Sequence, residues 1–345
     1  MNKLLPAFVL ISLTASTTLQ AQFDFVTLTN QHADVLIGYD AEAFNPLSFV
    51  IRNDDDGSIL FSNEVRLAVS EAGQLSLPPD TPFGDAGDPI WILPQSQNAD
   101  LLFLGLSGDG LPLNVFSEPV KLSLLNAEGP GDFFLWQSGS IGSFDVRINT
   151  RDGLTAADNT LVFAGGHDHY NWGFTSTGSY HLTFQASGTT QPDGIPVTSP
   201  ETTFVFDVLP LRPYEQWQRA HWPPATALSQ MAPDSDPDGD GIPNIMEYAL
   251  ALDPNIPTTD GLPKLVIIGE NNDLYAALEF TRVKTATDLA YQVRATDSLN
   301  PSSWEPLTHV VSITDHGATE TVVVRDVIPL PSTEHRFYKL DVAFN

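Results

Sequence analysis

The sequence predicts a mainly β protein: a large β-sandwich or jelly-roll-like domain over residues 22–209, a short helix–loop–helix connector over residues 210–255, and a small β-sandwich domain over residues 264–345. Three observations carry this. Residues 23–208 break into about ten short alternating runs bounded by turn formers, with no helical periodicity. The texture then changes to helical spacing around one acidic loop. Strand-like alternation returns from Lys264 to Asn345.

Before the first strand, MNKLLPAFVLISLTASTTLQAQ places one lysine ahead of an apolar run and ends on a small residue at Ala21. This is the layout of a cleaved secretory signal, residues 1–21. The run is too short to span a bilayer, and no later segment reaches about 18 uninterrupted apolar residues. The expected location is therefore secreted, cell-surface or periplasmic, with no transmembrane segment in the mature chain.

The large domain reads as strands such as "ADVLIGYD", "LSFVIRN", "DLLFLGL", "GDFFLWQ" and "TTFVFDVL", separated by DDDG, SGDG, EGPGD, RDG and TTQPDG, all turn formers. The 345 residues contain no cysteine, so disulfides, thiolate ligands and a cysteine nucleophile are excluded, and hydrophobic cores or bound ions must hold the folds. A formal charge of −28, from 43 acidic and 15 basic residues, opposes nucleic acid and anionic lipid and makes cations the natural partners.

In the connector, "RPYEQWQRAHW" sets Tyr214, Trp217 and His221 at helical spacing behind Pro213, which suits a helix start. A second helix, "NIMEYALAL", puts Ile245, Tyr248, Ala249 and Leu252 on one side. Between them "DPDGDGIPNIME", residues 236–247, fits the twelve-residue calcium loop position by position. Asp236, Asp238 and Asp240 take positions one, three and five, and Gly241 makes the turn at six. Ile242 offers its backbone carbonyl at seven, Asn244 stands at nine, and Glu247 closes the loop at twelve. Magnesium is disfavoured because it demands tight octahedral geometry and gives up its waters reluctantly. Asp234 lies just outside, left for a second ion or for none. The loop resembles those of dockerin and thrombospondin type 3 repeats, here as a single copy, which is expected to act as a structural clamp.

The other chemistry-bearing stretch is "GGHDHYNWGF", residues 165–174. Residues two apart in a strand face one way, so His167 and His169 present both imidazoles on one side with Asp168 opposite. That spacing suits a transition metal such as zinc, copper or manganese. The expected third ligand is His32 in "NQHADVLIGYD", with Asp34 on the same face of its strand. The competing reading gives one histidine to a turn and the other to a core hydrogen bond. His181, His221, His309, His316 and His335 are assigned to structure or surface.

The stretch "GGHDHYNWGFTSTGSYHLTFQASG" resembles the bacterial surface-anchored repeat. With "HADVLIGYD", "DPIWILPQSQNADLLFLGL" and "GPGDFFLWQ" it resembles the choice-of-anchor M domain over roughly residues 28–208. That resemblance implies an exported β protein, with His32, His167 and His169 as metal ligands, Asn171 and Trp172 as accompanying positions, and ABC-transporter components as partners in metal handling. The connector and closing domain resemble C-terminal regions of exported proteins of Verrucomicrobia-like bacteria. Because no LPxTG-like motif or basic tail is seen, non-covalent retention or secretion is expected rather than wall anchoring.

The expected function is thus a non-enzymatic exported binding protein with a structural calcium ion and a histidine transition-metal site, linked to metal uptake. One alternative is a carbohydrate-binding sandwich, recognising cell-surface glycan by stacking on Trp91, Trp136, Tyr170 and Trp172. Another is an architectural envelope protein. No GxSxG, HExxH or Walker loop occurs, although a metal hydrolase on the three histidines is chemically allowed.

Overall fold

The computed structural model describes residues 25–139, 142–224, 226–299, 303–330 and 335–345. The expected signal segment lies outside them. About half of the chain is strand (49%) and only 9% is helix. In chain order the strands are β1 (Val26–Leu28), β2 (His32–Tyr39), β3 (Leu47–Asn53), β4 (Ile59–Leu60), β5 (Val65–Val69), β6 (Gln74–Ser76), β7 (Pro89–Leu93), β8 (Phe103–Gly110), β9 (Val120–Glu128), β10 (Phe133–Ser138), β11 (Phe144–Asn149) and β12 (Asn159–Val162). They continue as β13 (His167–His169), β14 (Asn171–Phe174), β15 (Gly178–Thr189), β16 (Pro196–Thr198) and β17 (Thr202–Val208). After the helices α1 (Pro213–His221), α2 (Leu228–Met231) and α3 (Asn244–Leu250) come β18 (Lys264–Glu270), β19 (Asp273–Val283), β20 (Leu289–Thr296), β21 (Glu305–Pro306), β22 (His309–Asp315), β23 (Thr319–Leu330) and β24 (Phe337–Phe344).

Three sheets are built before residue 209. A seven-stranded sheet has the order β1-β5-β17-β15-β9-β12 with β16 on β15, and two five-stranded sheets have the orders β11-β10-β14-β7-β6 and β13-β8-β2-β3-β4. One large core joins all three, with Trp172, Phe174, Phe204 and Phe206 fully buried at its centre. The run Phe133-Phe134-Leu135-Trp136 is apolar without alternation because both faces of β10 are covered. Phe133 and Leu135 enter the large core, while Phe134 and Trp136 join a smaller cluster with Phe83 and Ile90 on the outer side. The sheets form a sandwich-class fold, and no barrel closes among the described residues.

After residue 263, a four-stranded sheet ordered β18-β19-β23-β22 and a three-stranded one ordered β21-β20-β24 enclose a second core. Tyr214 of α1 and Tyr248, Ala249 and Leu250 of α3 belong to it. The buried Tyr248 hydroxyl donates to Asp288 Oδ1 at 2.7 Å, and the Tyr214 amide donates to Asp288 Oδ2 at 3.0 Å, so the connector helices are fixed to the β19–β20 loop. On its other side α1 reaches back through Arg219, whose Nη1 lies 3.4 Å from the buried Asp207 of β17. The second helix is shorter than its pattern predicts. It stops at Leu250, Ala251 takes the left-handed conformation at φ 61°, and Leu252 packs on the core from beyond the helix end.

Candidate metal centre

Four strands of one sheet meet edge to edge at a single row of residues. Arg52 of β3 pairs with Asp34 of β2, Asp34 pairs in parallel register with Gly105 of β8, and Gly105 pairs with His169 of β13. Two residues along, on the same face, stand His32 opposite Phe103 and His167 opposite Ser107. The local sequence makes this docking close: Gly165, at φ 67°, turns the chain so that its amide and that of Gly108 clasp β13 onto β8 through Gly165 N–H to Gly108 O and Gly108 N–H to Gly166 O.

The predicted histidines converge. One ligand atom from each of His32, Asp34, His167 and His169 lies within 4.8 Å of all the others. Ring centroids are 5.7 Å apart for His32 and His167, 5.2 Å for His32 and His169, and 4.8 Å for His167 and His169. Asp34 is fully buried. Its Oδ1 lies 2.8 Å from His167 Nε2, and its Oδ2 accepts from Arg52 Nη2 at 2.7 Å. Two ring nitrogens, His32 Nε2 and His169 Nδ1, are buried without a hydrogen bond, and His32 Nε2 lies 3.7 Å from Asp54 Oδ2. Such orphans are costly unless something fills the space between them. The space exists because position 105 is glycine. A Cβ there would press into Asp34 Oδ1 and stand 2.9 Å from His167 Nε2 and 3.0 Å from His169 Cε1.

Burial, reinforced by the neighbouring His167 and His32, pulls the His169 imidazole down to about 4, so the ring is neutral and able to coordinate at neutral pH. Burial pushes the Asp34 carboxyl up, against the pull of His167. Phe103 lies flat on His169 at 3.6 Å and fixes that ring. Arg52 also holds Asp54 and Asp109, at 2.5 and 3.1 Å, and so braces the acidic side of the site. Three imidazoles and one carboxylate form a donor set suited to zinc, copper or manganese.

Asp34 is the fourth member of the cluster, where the sequence pattern gave it only a place beside His32. Gly105, Phe103 and Arg52 were not foreseen. The isolated glycine in "LLFLGLSGDG" was the available signal, since a glycine inside a strand often marks a close approach. Asn171 is buried and binds Gln95 and the Trp136 carbonyl, and the Trp172 indole donates to Leu104 O at 3.2 Å, so both brace the strand beside the site. His181 and His221 are buried elsewhere, and His309, His316 and His335 are exposed. The four rings considered for sugar stacking, Trp91, Trp136, Tyr170 and Trp172, are all buried. They are core residues and offer no platform to a glycan.

In the connector loop, single oxygens of Asp236, Asp238 and Asp240 lie within 4.8 Å of one another. Asp236 accepts the Gly239 and Gly241 amides at 2.9 Å each, and Asp240 accepts the Ile242 amide and, from the following linker, the Thr258 amide, both at 2.8 Å. Glu247 is outside that trio but fully buried, and neither of its carboxylate oxygens has a partner. Asn244 Oδ1 and Asp238 Oδ2 are buried and unpartnered as well, while Asn244 Nδ2 donates to the carbonyls of Gln230 and Ala232. Ile242 is buried, its amide turned to Asp240. Burial, then the charges of Asp238, Asp240 and Asp236, push the Glu247 carboxyl up to about 8.

A scan against protein-family models finds no match, and neither does a search of curated proteins. The resemblance to surface-anchored repeats therefore rests on the residues that suggested it. No helix among the described residues is long and apolar enough to cross a membrane.

Proposed function

We propose that this chain is an exported binding protein that holds one first-row transition metal on His32, Asp34, His167 and His169 and uses a calcium ion on Asp236, Asp238, Asp240, Ile242, Asn244 and Glu247 as a structural clamp. The observation that carries the first part is the convergence of His32, His167 and His169 on the buried Asp34 beside Gly105, with two of the ring nitrogens buried and without a hydrogen bond. Neutral imidazoles are borderline ligands and the carboxylate a hard one, so zinc, manganese and copper fit better than calcium, which prefers oxygen throughout. The buried carboxylate of Glu247, facing three more acids, supports the calcium part in the same way. A role in metal uptake at the cell surface follows from the resemblance of the large domain, and with it comes binding rather than catalysis.

Elemental analysis of the purified mature protein tests the reading. One transition-metal ion per chain is expected, and it should leave on chelation. Arg52→Gln removes the brace on Asp34 without touching a ligand, and the affinity measured by competition with a chromogenic chelator should fall by about 10–100-fold. A protein that carries no transition metal and takes none up from zinc, manganese or copper solutions would sink the proposal.

A further inference from the structure

The terminal β region differs in surface chemistry from the rest of the chain. Residues 264–345 hold 11 acidic and 7 basic residues, against 32 and 8 in the residues before them. Half of the large apolar side chains left exposed among the described residues fall in this last quarter of the chain. Electrostatic repulsion between copies is thus weakest where apolar surface is most open.

That surface centres on β22, the outermost strand of the four-stranded sheet. All seven of its residues are exposed, and among the described residues β23 is its one neighbour in the sheet. Val310 and Ile313 lie in register with Val324 and Val322, which are buried in the terminal core. The inner face of the sheet therefore extends past the three-stranded sheet that covers its middle. Val310, Val311 and Ile313 are left 49%, 42% and 54% exposed. Edge strands of monomers are usually blunted by lysine, proline or an inward charge; from Val310 to Thr314, β22 carries none of these. A bulge between Val310 and Ser312, a feature that by itself works against edge pairing, shifts the register with β23.

The sequence His-Val-Val-Ser-Ile-Thr-Asp is also complementary to itself. Laid antiparallel on a second copy about Ser312, His309 falls opposite Asp315, Val310 opposite Thr314 and Val311 opposite Ile313, and the same pairs recur in the other half. Asp315 already takes Lys284 Nζ at 2.8 Å, so in such a pair its carboxylate would sit between a lysine and the second copy's imidazole.

We propose that β22 is a dimerisation edge: two chains pair through β22 about a two-fold axis at Ser312, joining two four-stranded sheets into one of eight. The contact is isologous and closes on itself, so it yields a dimer and consumes both edges. Sedimentation equilibrium of the full mature chain with calcium present should show a monomer–dimer equilibrium. Ile313→Lys should weaken the dimer at least ~10-fold, a charge placed in the apolar pair. His309→Asp sets like charges opposite each other at both ends and should also weaken it, while His309→Asp combined with Asp315→His restores the imidazole–carboxylate pairing and should recover most of the affinity. Far-UV circular dichroism and melting curves identify folded variants, which is expected since all three side chains are exposed. A chain that stays monomeric at every concentration, a dimer indifferent to Ile313→Lys, or a charge exchange that recovers nothing each overturns the proposal.

Discussion

Gly105→Ala is expected to weaken transition-metal binding at least ~100-fold while the protein still folds. The residue donates no ligand; its effect comes from where its backbone lies. Strand β8 runs between the two strands that carry the donors, and Gly105 is in register with Asp34 on one side and His169 on the other. One methyl group there would press into Asp34 Oδ1 and crowd His167 Nε2, two atoms already hydrogen-bonded to each other at 2.8 Å. Because Asp34 is fully buried and held on its other oxygen by Arg52, it has nowhere to retreat. Accommodating the methyl costs about 1–3 kcal/mol of stability, as overpacking in a close-packed interior does. His167→Ala combined with His169→Ala removes two donors and should lose the metal as completely, but without overpacking. The informative comparison is calorimetric: both variants should lose the metal titration signal, Gly105→Ala with all four donor side chains still present and the double variant by losing two of them. If Gly105→Ala takes up metal with native affinity, the donors do not share a point above β8 and the site is wrongly placed.

The two candidate metal sites differ in how far the sequence alone could reveal them, and the reason is distance along the chain. The acidic loop keeps its six expected positions within twelve residues, so spacing alone ordered them; Asp236, Asp238 and Asp240 come together, while Asn244 and Glu247 have buried oxygens without a hydrogen bond. The histidine cluster joins residues 32–34 to residues 167–169 through β8. Local alternation could say that His167 and His169 share a face, and that His32 and Asp34 share another. It could not say that a parallel pairing of β2 with β8 would bring those faces side by side, because register is decided by the whole core. Arg52 and Phe103 were invisible for the same reason: no member of the cluster lies near them in sequence. The strands were more legible than their partners. The run Phe133-Phe134-Leu135-Trp136 was legible as a strand, yet the division of its side chains between two cores follows from the sheet order. At α3 the helical pattern ran two residues too far, because the left-handed turn at Ala251 lets Leu252 reach the same core from outside the helix.

Calcium removal should make the stability of this protein fall as pH rises, the reverse of what its buried histidines do. In the calcium-free protein Glu247 is buried among three aspartates and its carboxyl is raised to about 8, against 4.5 for the free side chain. Between those values the folded chain keeps a proton that the unfolded chain has released, so folding loses stability across pH 4.5–8 and the loss levels off above it. His169 and His181 are lowered to about 4 from 6.5, so they make stability fall on acidification below about 6.5 and contribute no slope above it. From pH 6.5 to 8.5 these two histidines add no slope, and Glu247 contributes a falling one up to about pH 8. Calcium bound to the ionised carboxylate abolishes the penalty, and at a thousandfold excess over its Kd adds about 4 kcal/mol. Melting temperature should accordingly rise by roughly 5–15 °C on adding calcium at pH 8, and by less at pH 6.5. The His167→Ala/His169→Ala background keeps chelation of the transition metal from confusing the measurement. Glu247→Gln gives the decisive comparison. The neutral amide should flatten the calcium-free profile and exceed wild type at pH 8, yet gain little from calcium. A wild-type profile without slope over this range, or a Gln variant that calcium stabilises as strongly as wild type, would mean that Glu247 does not close the loop.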